Sequence, residues 1–209
     1  MTLMDPPSPE ASARQARDAE LALVARLRAG NPDAFDRVYE AFNPRVFNFL
    51  ARLVRNRDTA EDLLEETWLR FVDHMPRLRP DTTLLPFLFT IARNLHVSYC
   101  RSRLIEDSYS IDLLGLWPAG SPPPSPYEST VANETLARVE QALAAMPAAC
   151  REALLLVAIE GLKPAEAAAV CDVTPEAMRQ RISRGRAFLA RHLDEDTHPL
   201  LVALKAVTT

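Results

Sequence analysis

The sequence predicts an all-α protein of two small helical domains joined by a flexible, proline-rich linker, and three observations carry that prediction. Ala, Leu, Arg and Glu dominate, only 5 of the 209 residues are glycine, and β-branched residues never alternate with polar ones over a long run. Such a composition favours helix over strand. Apolar residues recur at helical spacing before about residue 104 and again after about residue 134. The stretch between them includes WPAGSPPPSPYEST (117–130), which cannot form a regular helix. A chain of this length accommodates one ordinary domain or two small ones, and the break in composition selects two.

Local signals place the elements in order. Residues 1–18 are polar and rich in Pro, Ser and Ala, which reads as a disordered tail, and they lack the apolar run of a signal peptide. Leu21, Val24 and Leu27 mark a short helix stopped by Gly30. Asn31-Pro32 starts another, with Asn as cap and Pro in first position, and Asn43-Pro44 repeats the device to launch a helix over 45–54. Asp58 with Glu61 makes a capping pair for a helix reaching about His74. Residues 75–83 form a loop, and the helix that follows, from Leu84 to about Arg103, tolerates Pro86 only in its first turn. These elements make a first domain over 19–106. A linker over 107–133 leads to a second domain over 134–195, whose four helices are divided by Pro147, Gly161–Pro164 and Asp172–Pro175. Residues 196–209 form a C-terminal tail. The linker leaves the two domains free to tumble partly independently.

Charge and cysteine usage narrow the class. The net charge is -4, so local patches rather than the bulk field must carry any nucleic-acid argument. Cys100, Cys150 and Cys171 are odd in number, far apart and outside any C-x-x-C or Cys/His cluster, which fits free thiols in a reducing cytoplasm and no structural metal. No segment approaches the roughly 20 apolar residues of a membrane span. With 4 His, no Gly-rich phosphate loop and no Ser/His/Asp grouping, the sequence predicts neither an enzyme nor a cofactor.

The second domain carries the sharpest pattern. A helix over about 164–170, the tight turn Cys171-Asp172-Val173 and a helix opened by Thr174-Pro175 read as a helix-turn-helix. Met178, Ile182, Gly185 and Leu189 form one buried stripe, while Arg179, Gln180, Ser183, Arg184 and Arg186 occupy the other faces. From Thr174 to Arg191 there are five Arg and one acid. Guanidinium groups pair with phosphates or grip guanine, and Gln and Ser read base edges. Charge alone would mark a solvated surface helix; turn, cap and placement together favour DNA.

Two helices of the first domain contrast. That from Asp58 carries Glu61, Asp62, Glu65 and Glu66 against an apolar side of Leu63, Leu64, Thr67, Trp68 and Phe71. A plain solvated face and a docking face for a basic partner both fit. A carboxylate metal site fits less well, because no His stands at the i+3 spacing of helical di-iron centres. The helix from Leu84 interleaves Phe87, Phe89 and Tyr99 with Arg93, Asn94, His96, Arg101 and Arg103 and has no acid up to Arg103, which suits single-stranded DNA. Part of that aromatic set, with Leu88 and Ile91, is also core material.

The runs AEDLLEETWLRF (60–71) and PFLFTIARNLHVSYCRSR (86–103) resemble the second conserved region of extracytoplasmic-function sigma factors, group IV of the sigma-70 family, and residues 143–193 resemble the fourth region. The resemblance implies an alternative sigma factor that binds core RNA polymerase, through its β′ clamp helices and β flap, and directs initiation at particular promoters. It implies polymerase binding by Asp62, Glu65 and Glu66. It further implies minus-ten contacts by Phe87, Arg93, Asn94, Arg101 and Arg103, with loop 75–83 helping to open the element. Minus-thirty-five contacts fall to Arg179, Gln180, Ser183, Arg184 and Arg186. An anti-sigma factor is a further implied partner. Glu65 stands where the family often has Gln, Phe87 where it often has Trp, and Lys163-Pro164 replaces the usual start of the first fourth-region helix. Alternatives are a sigma-like mimic that binds only an anti-sigma factor, and a helix-turn-helix regulator acting without polymerase. The intact basic helix argues against the first and the acid cluster against the second.

Overall fold

A computed structural model describes residues 9–114 and 131–192, with side-chain surroundings for 11–104 and 138–192. Expectations for 1–8, 115–130 and 193–209, which include most of the linker and the C-terminal tail, lie outside the described residues. Among the described residues there is no strand. The helices are α1 (Pro9–Arg28), α2 (Pro32–Val54), α3 (Arg57–His74), α4 (Leu84–Leu114), α5 (Val131–Ala145), α6 (Ala148–Leu154), α7 (Pro164–Val170) and α8 (Pro175–His192). A 3-10 turn, Met75–Arg77, follows α3, and α6 runs on through a π-helical turn, Leu155–Ile159. Helices α1–α4 make the first domain around Val24, Leu27, Phe49, Leu50, Phe71 and Phe89; α5–α8 make the second around Leu154, Leu156, Met178 and Leu189.

Several sequence expectations are corrected. Helix α1 begins at Pro9, so residues 9–18 belong to it and not to a tail; the segment is rich in helix formers, and Arg17 is tied to Asp81 and Thr83. Asn43 does not cap a separate helix. Its side chain accepts a hydrogen bond from Trp68 Nε1 at 2.9 Å, and α2 passes unbroken through Pro44. The stripe Ala34, Val38, Val46, Phe49, Leu50 and Leu53, buried on both sides of that proline, outweighs the one backbone bond it forfeits. Asn56, not Asp58, caps α3 by accepting from Thr59 N at 2.8 Å, while Glu61 pairs with Arg57. Helix α4 continues past Arg103 to Leu114, and α5 starts at Val131, so both ends of the expected linker are helical. Gly30 and Pro86 behave as expected: Gly30 ends α1 with φ 72°, and Pro86 lies in the first turn of α4.

The two domains are in contact rather than apart. Helix α4 packs on α7, and α2 reaches α6. Arg45 Nε meets Glu160 Oε2 at 2.9 Å, Arg52 Nε meets Glu140 Oε1 at 2.9 Å, and Arg93 Nε meets Glu152 Oε1 at 3.1 Å. In each pair the arginine comes from the first domain and the carboxylate from the second. Arg45 also donates to the Glu160 carbonyl at 2.6 Å. Burial holds the Glu160 carboxyl above its ordinary range, outweighing the opposing pull of Arg45. Glu152 is buried at the centre of the seam, with Arg181 of its own domain 3.9 Å from its second oxygen. The Cys171 thiol is pushed up to about 12, by burial first and then by the neighbouring Glu152 carboxylate.

Helix α8 lies close to α6 because residue 185 is glycine. A Cβ there would stand 2.8 Å from Leu154 Cδ1 and 3.4 Å from the Cys150 carbonyl, and Leu154 is itself buried. Gly185→Ala is therefore expected to lower stability by about 1 kcal/mol, because an overpacking cost of roughly 1–3 kcal/mol exceeds the gain of about 1 kcal/mol in helix propensity. Thermal melting checks this; a more stable variant would mean that Leu154 gives way.

Candidate functional site

The helix-turn-helix forms as its local chemistry dictates. In the turn, Cys171 N donates to the Ala167 carbonyl and Val173 N to the Ala168 carbonyl. Asp172 takes a left-handed φ of 52°, which Asp tolerates better than most residues. Thr174 Oγ1 accepts from Ala177 N at 3.1 Å and so caps α8. Met178, Ile182, Gly185 and Leu189 are buried against α6 and α7, and that stripe fixes the rotation of α8.

Arg179, Gln180, Ser183 and Arg184 are exposed together with Glu176 on the face opposite the stripe. Arg179 is not a bare cation: Nη2 and Nε both reach Glu176 Oε2, at 2.6 and 3.2 Å. Arg186 is half-buried, and desolvation lowers its guanidinium pKa from the ordinary value. It stands apart from the exposed set. Arg181 turns inward to the seam.

On α3, Asp62 and Glu65 are exposed, and Glu66 Oε1 accepts from Arg70 Nε at 2.7 Å. Leu63, Thr67, Trp68 and Phe71 face the core. Sequence reasoning missed the apolar component of the acidic face. Leu69, 56% exposed, lies one turn beyond Glu65 and Glu66 on the same side of α3, and exposed Val72 follows three residues later. The signal was present, since Leu69 falls outside the buried stripe at helical spacing.

Helix α4 divides its predicted residues. Asn94 and Arg101 face solvent, and the Arg103 guanidinium lies 5.8 Å from the Tyr99 ring centroid. Phe87 is half-buried, 6.3 Å from Phe71 and 6.2 Å from His74 between ring centroids. Phe89 is core, packed edge-on against Phe49 at 4.9 Å. Arg93 is turned into the seam with Glu152. The structure thus brings Asn94 and Arg101 to the surface and withholds Arg93. Among the described residues no group of three or more His, Cys, Asp or Glu side chains is placed to hold a metal ion, and no helix is long and apolar enough to cross a membrane.

Comparison with known proteins agrees with this division. The model for sigma-70 region 2 matches residues 38–104, and that for sigma-70 region 4 matches residues 136–189. The chain is 34% identical over 172 residues to RNA polymerase sigma factor CarQ of Myxococcus xanthus, covering 82% of this chain and 96% of the relative. It is 33% identical to the ECF RNA polymerase sigma factor EcfG of Rhodopseudomonas palustris, covering 73% of this chain and 81% of that protein. Among solved structures it resembles the sigma factor RpoE of Bartonella quintana, determined in complex with the anti-sigma factor NepR. That match has a TM-score of 0.65 and 27% identity over 78% of this chain and 98% of the other. It also resembles CnrH in complex with the cytosolic domain of CnrY, with a TM-score of 0.61 and 25% identity over 85% and 99% of the two chains. Two matched regions in order, relatives matched over most of their length and a shared all-α architecture establish that the chain belongs to the extracytoplasmic-function sigma factors of the sigma-70 family.

Proposed function

We propose that this sigma factor docks on core RNA polymerase through α3 and reads promoter DNA through α4 and α8. The observation that carries the reading is the division of exposed chemistry on one chain: acids beside Leu69 on α3, and Arg, Gln and Ser on a capped helix-turn-helix helix. Asp62, Glu65 and Glu66 supply charge for the polymerase clamp helices, with Leu69 and Val72 as the apolar contact beside them. The second domain meets the β flap. Asn94, with Phe87 and the loop 75–83, holds the opened minus-ten strand, and Arg101 and Arg103 meet its phosphates. Gln180 and Ser183 read the minus-thirty-five duplex, Arg179 and Arg184 flank them, and Arg186 adds backbone affinity from the edge of the face. Arg93 joins the minus-ten surface only when the domains part. The domain bounds we infer are α1–α4 and α5–α8, which moves the start of the first domain from residue 19 to residue 9. The chain performs no covalent chemistry of its own, needs no cofactor and works in the cytoplasm. The two solved structures named above are complexes, one with the anti-sigma factor NepR and the other with the cytosolic domain of CnrY, and the first supports an anti-sigma factor as a partner here.

The test is reconstitution with core polymerase and selection from randomised upstream and minus-ten elements. Wild type is expected to enrich one bipartite motif. Gln180→Ala should change the preferred base at one upstream position, at a cost of about 1–3 kcal/mol. Asn94→Ala should slow opening while leaving duplex affinity intact. A holoenzyme that enriches no motif refutes the reading.

A further inference from the structure

The loop between α3 and α4 is pinned from an unexpected direction. Leu78, buried, anchors its middle, while Pro76, Arg77, Arg79, Pro80 and Asp81 face solvent. At its far end α1 reaches across. Arg17 Nη2 donates to the Asp81 carbonyl at 2.7 Å, and Arg17 Nη1 donates to Thr83 Oγ1 at 3.3 Å and to Glu20 Oε2 at 2.6 Å. The other oxygen of Glu20 accepts from Leu84 N at 2.9 Å. Leu84 N–H is the first of the donors that a helix N-terminus leaves unpaired, so Glu20 caps a helix that starts 64 residues later in the chain.

We propose that Arg17 and Glu20 are positioning residues for promoter opening. They fix the hinge 81–84 and with it the relation of the exposed loop to the DNA-facing side of α4. The proposal rests on the reading of α4 and the loop given above.

The distribution of energy favours positioning over folding. A side-chain cap contributes about 1 kcal/mol, small beside a core that buries Phe49, Phe71 and Phe89. Within the loop the Met75–Arg77 turn, buried Leu78, the Arg79–Asp81 ion pair at 3.1 Å and the bond from Thr82 N to the Arg79 carbonyl set its local course, while the side-chain hydrogen bonds that tie its far end to α1 come from Arg17 and Glu20. Losing the clasp therefore frees the loop before it threatens the domain, and a loop that must meet an unpaired strand loses its prearranged geometry.

The experiment compares full-length wild type, Arg17→Ala, Glu20→Ala and Glu20→Gln, each bound to core polymerase, on a promoter selected by the wild-type holoenzyme. Expected are polymerase affinity and upstream duplex affinity within about twofold of wild type and faster hydrogen exchange at Leu84 N–H. Opening, followed by the reactivity of unpaired thymines, should slow about tenfold in both alanine variants. Glu20→Gln keeps an acceptor for Leu84 N–H and should recover much of the rate. Opening at the wild-type rate in both alanine variants overturns the proposal. So does an equal loss of polymerase affinity, duplex affinity and opening, which would mean that the clasp supports the fold at large. A wild-type holoenzyme that opens no promoter overturns the reading of α4 and the clasp with it, whereas unchanged alanine variants beside an active wild type overturn the clasp alone.

Discussion

Replacing Glu152 by alanine is expected to open the seam between the domains and to raise the alkylation rate of Cys171 at pH 8.5 by up to about a thousandfold. Two of the forces that hold the Cys171 thiol up to about 12 come from this carboxylate, by charge and by hydrogen bond, and the largest comes from burial in the seam that Glu152 helps to close. If the thiol returns to its ordinary value of 9, the thiolate fraction at a fixed lower pH grows by three powers of ten. The domains should separate rather than unfold. Removing one partner of a buried ion pair costs about 3–5 kcal/mol if its surroundings stay shut. Arg93, 19% exposed, and Arg181, 27% exposed, escape that cost by regaining water as the domains part. Small-angle scattering should show a larger radius of gyration, and circular dichroism should show helix content retained. Unchanged scattering together with an unreactive Cys171 would mean that packing of α4 on α7 holds the seam without Glu152.

Reversing Asp62 and Glu66 together to lysine is expected to weaken binding to core polymerase by roughly 10- to 100-fold, about 1.4–2.8 kcal/mol. The change turns an acidic rim basic beside Leu69 and also sets residue 66 beside Arg70, its present partner. That new like-charge pair costs only a few tenths of a kcal/mol within the helix, so the fold survives. The defect should shrink as salt is raised, because screening already weakens the wild type. Leu69→Ala should add a loss that salt does not change. Titration against labelled polymerase at two ionic strengths separates the two contributions. Wild-type affinity in the double-lysine variant would remove α3 from the docking surface.

What could be read in advance was whatever is local. Thr174-Pro175 and the stripe through Met178, Ile182 and Leu189 specify α8, its start and its rotation within one continuous stretch of chain, and the structure places them accordingly. The acids of α3 were equally legible, whereas Leu69, one turn beyond Glu65, has its place outside the apolar side of Leu63, Leu64, Thr67, Trp68 and Phe71 written only in its helical spacing. Pro44 shows a local rule overruled: an Asn-Pro start signal was present, yet Asn43 found a better partner in Trp68. Helix α1 was cut short for the converse reason. Its first turns have no apolar stripe, and the bonds that hold it run from Arg17 to Asp81 and from Glu20 to Leu84. The seam joins residues 59 to 115 positions apart. Its one local hint was Glu152, a lone acid leading into the apolar run ALLLVAI (153–159).

In the closed seam the Arg93 side chain is only 19% exposed, with its Nε on Glu152. While its guanidinium is committed to Glu152, a phosphate that needs the same group finds a competent molecule only in the fraction of chains whose domains have parted. The apparent dissociation constant is then the intrinsic one divided by that fraction. Every 1.4 kcal/mol by which the closed form is favoured costs such a ligand a factor of about ten, and whatever holds the domains apart returns it. If Arg93 meets promoter DNA as proposed, the chain's grip on it is set partly by three carboxylates of the seam, Glu140, Glu152 and Glu160, that have no need to touch it.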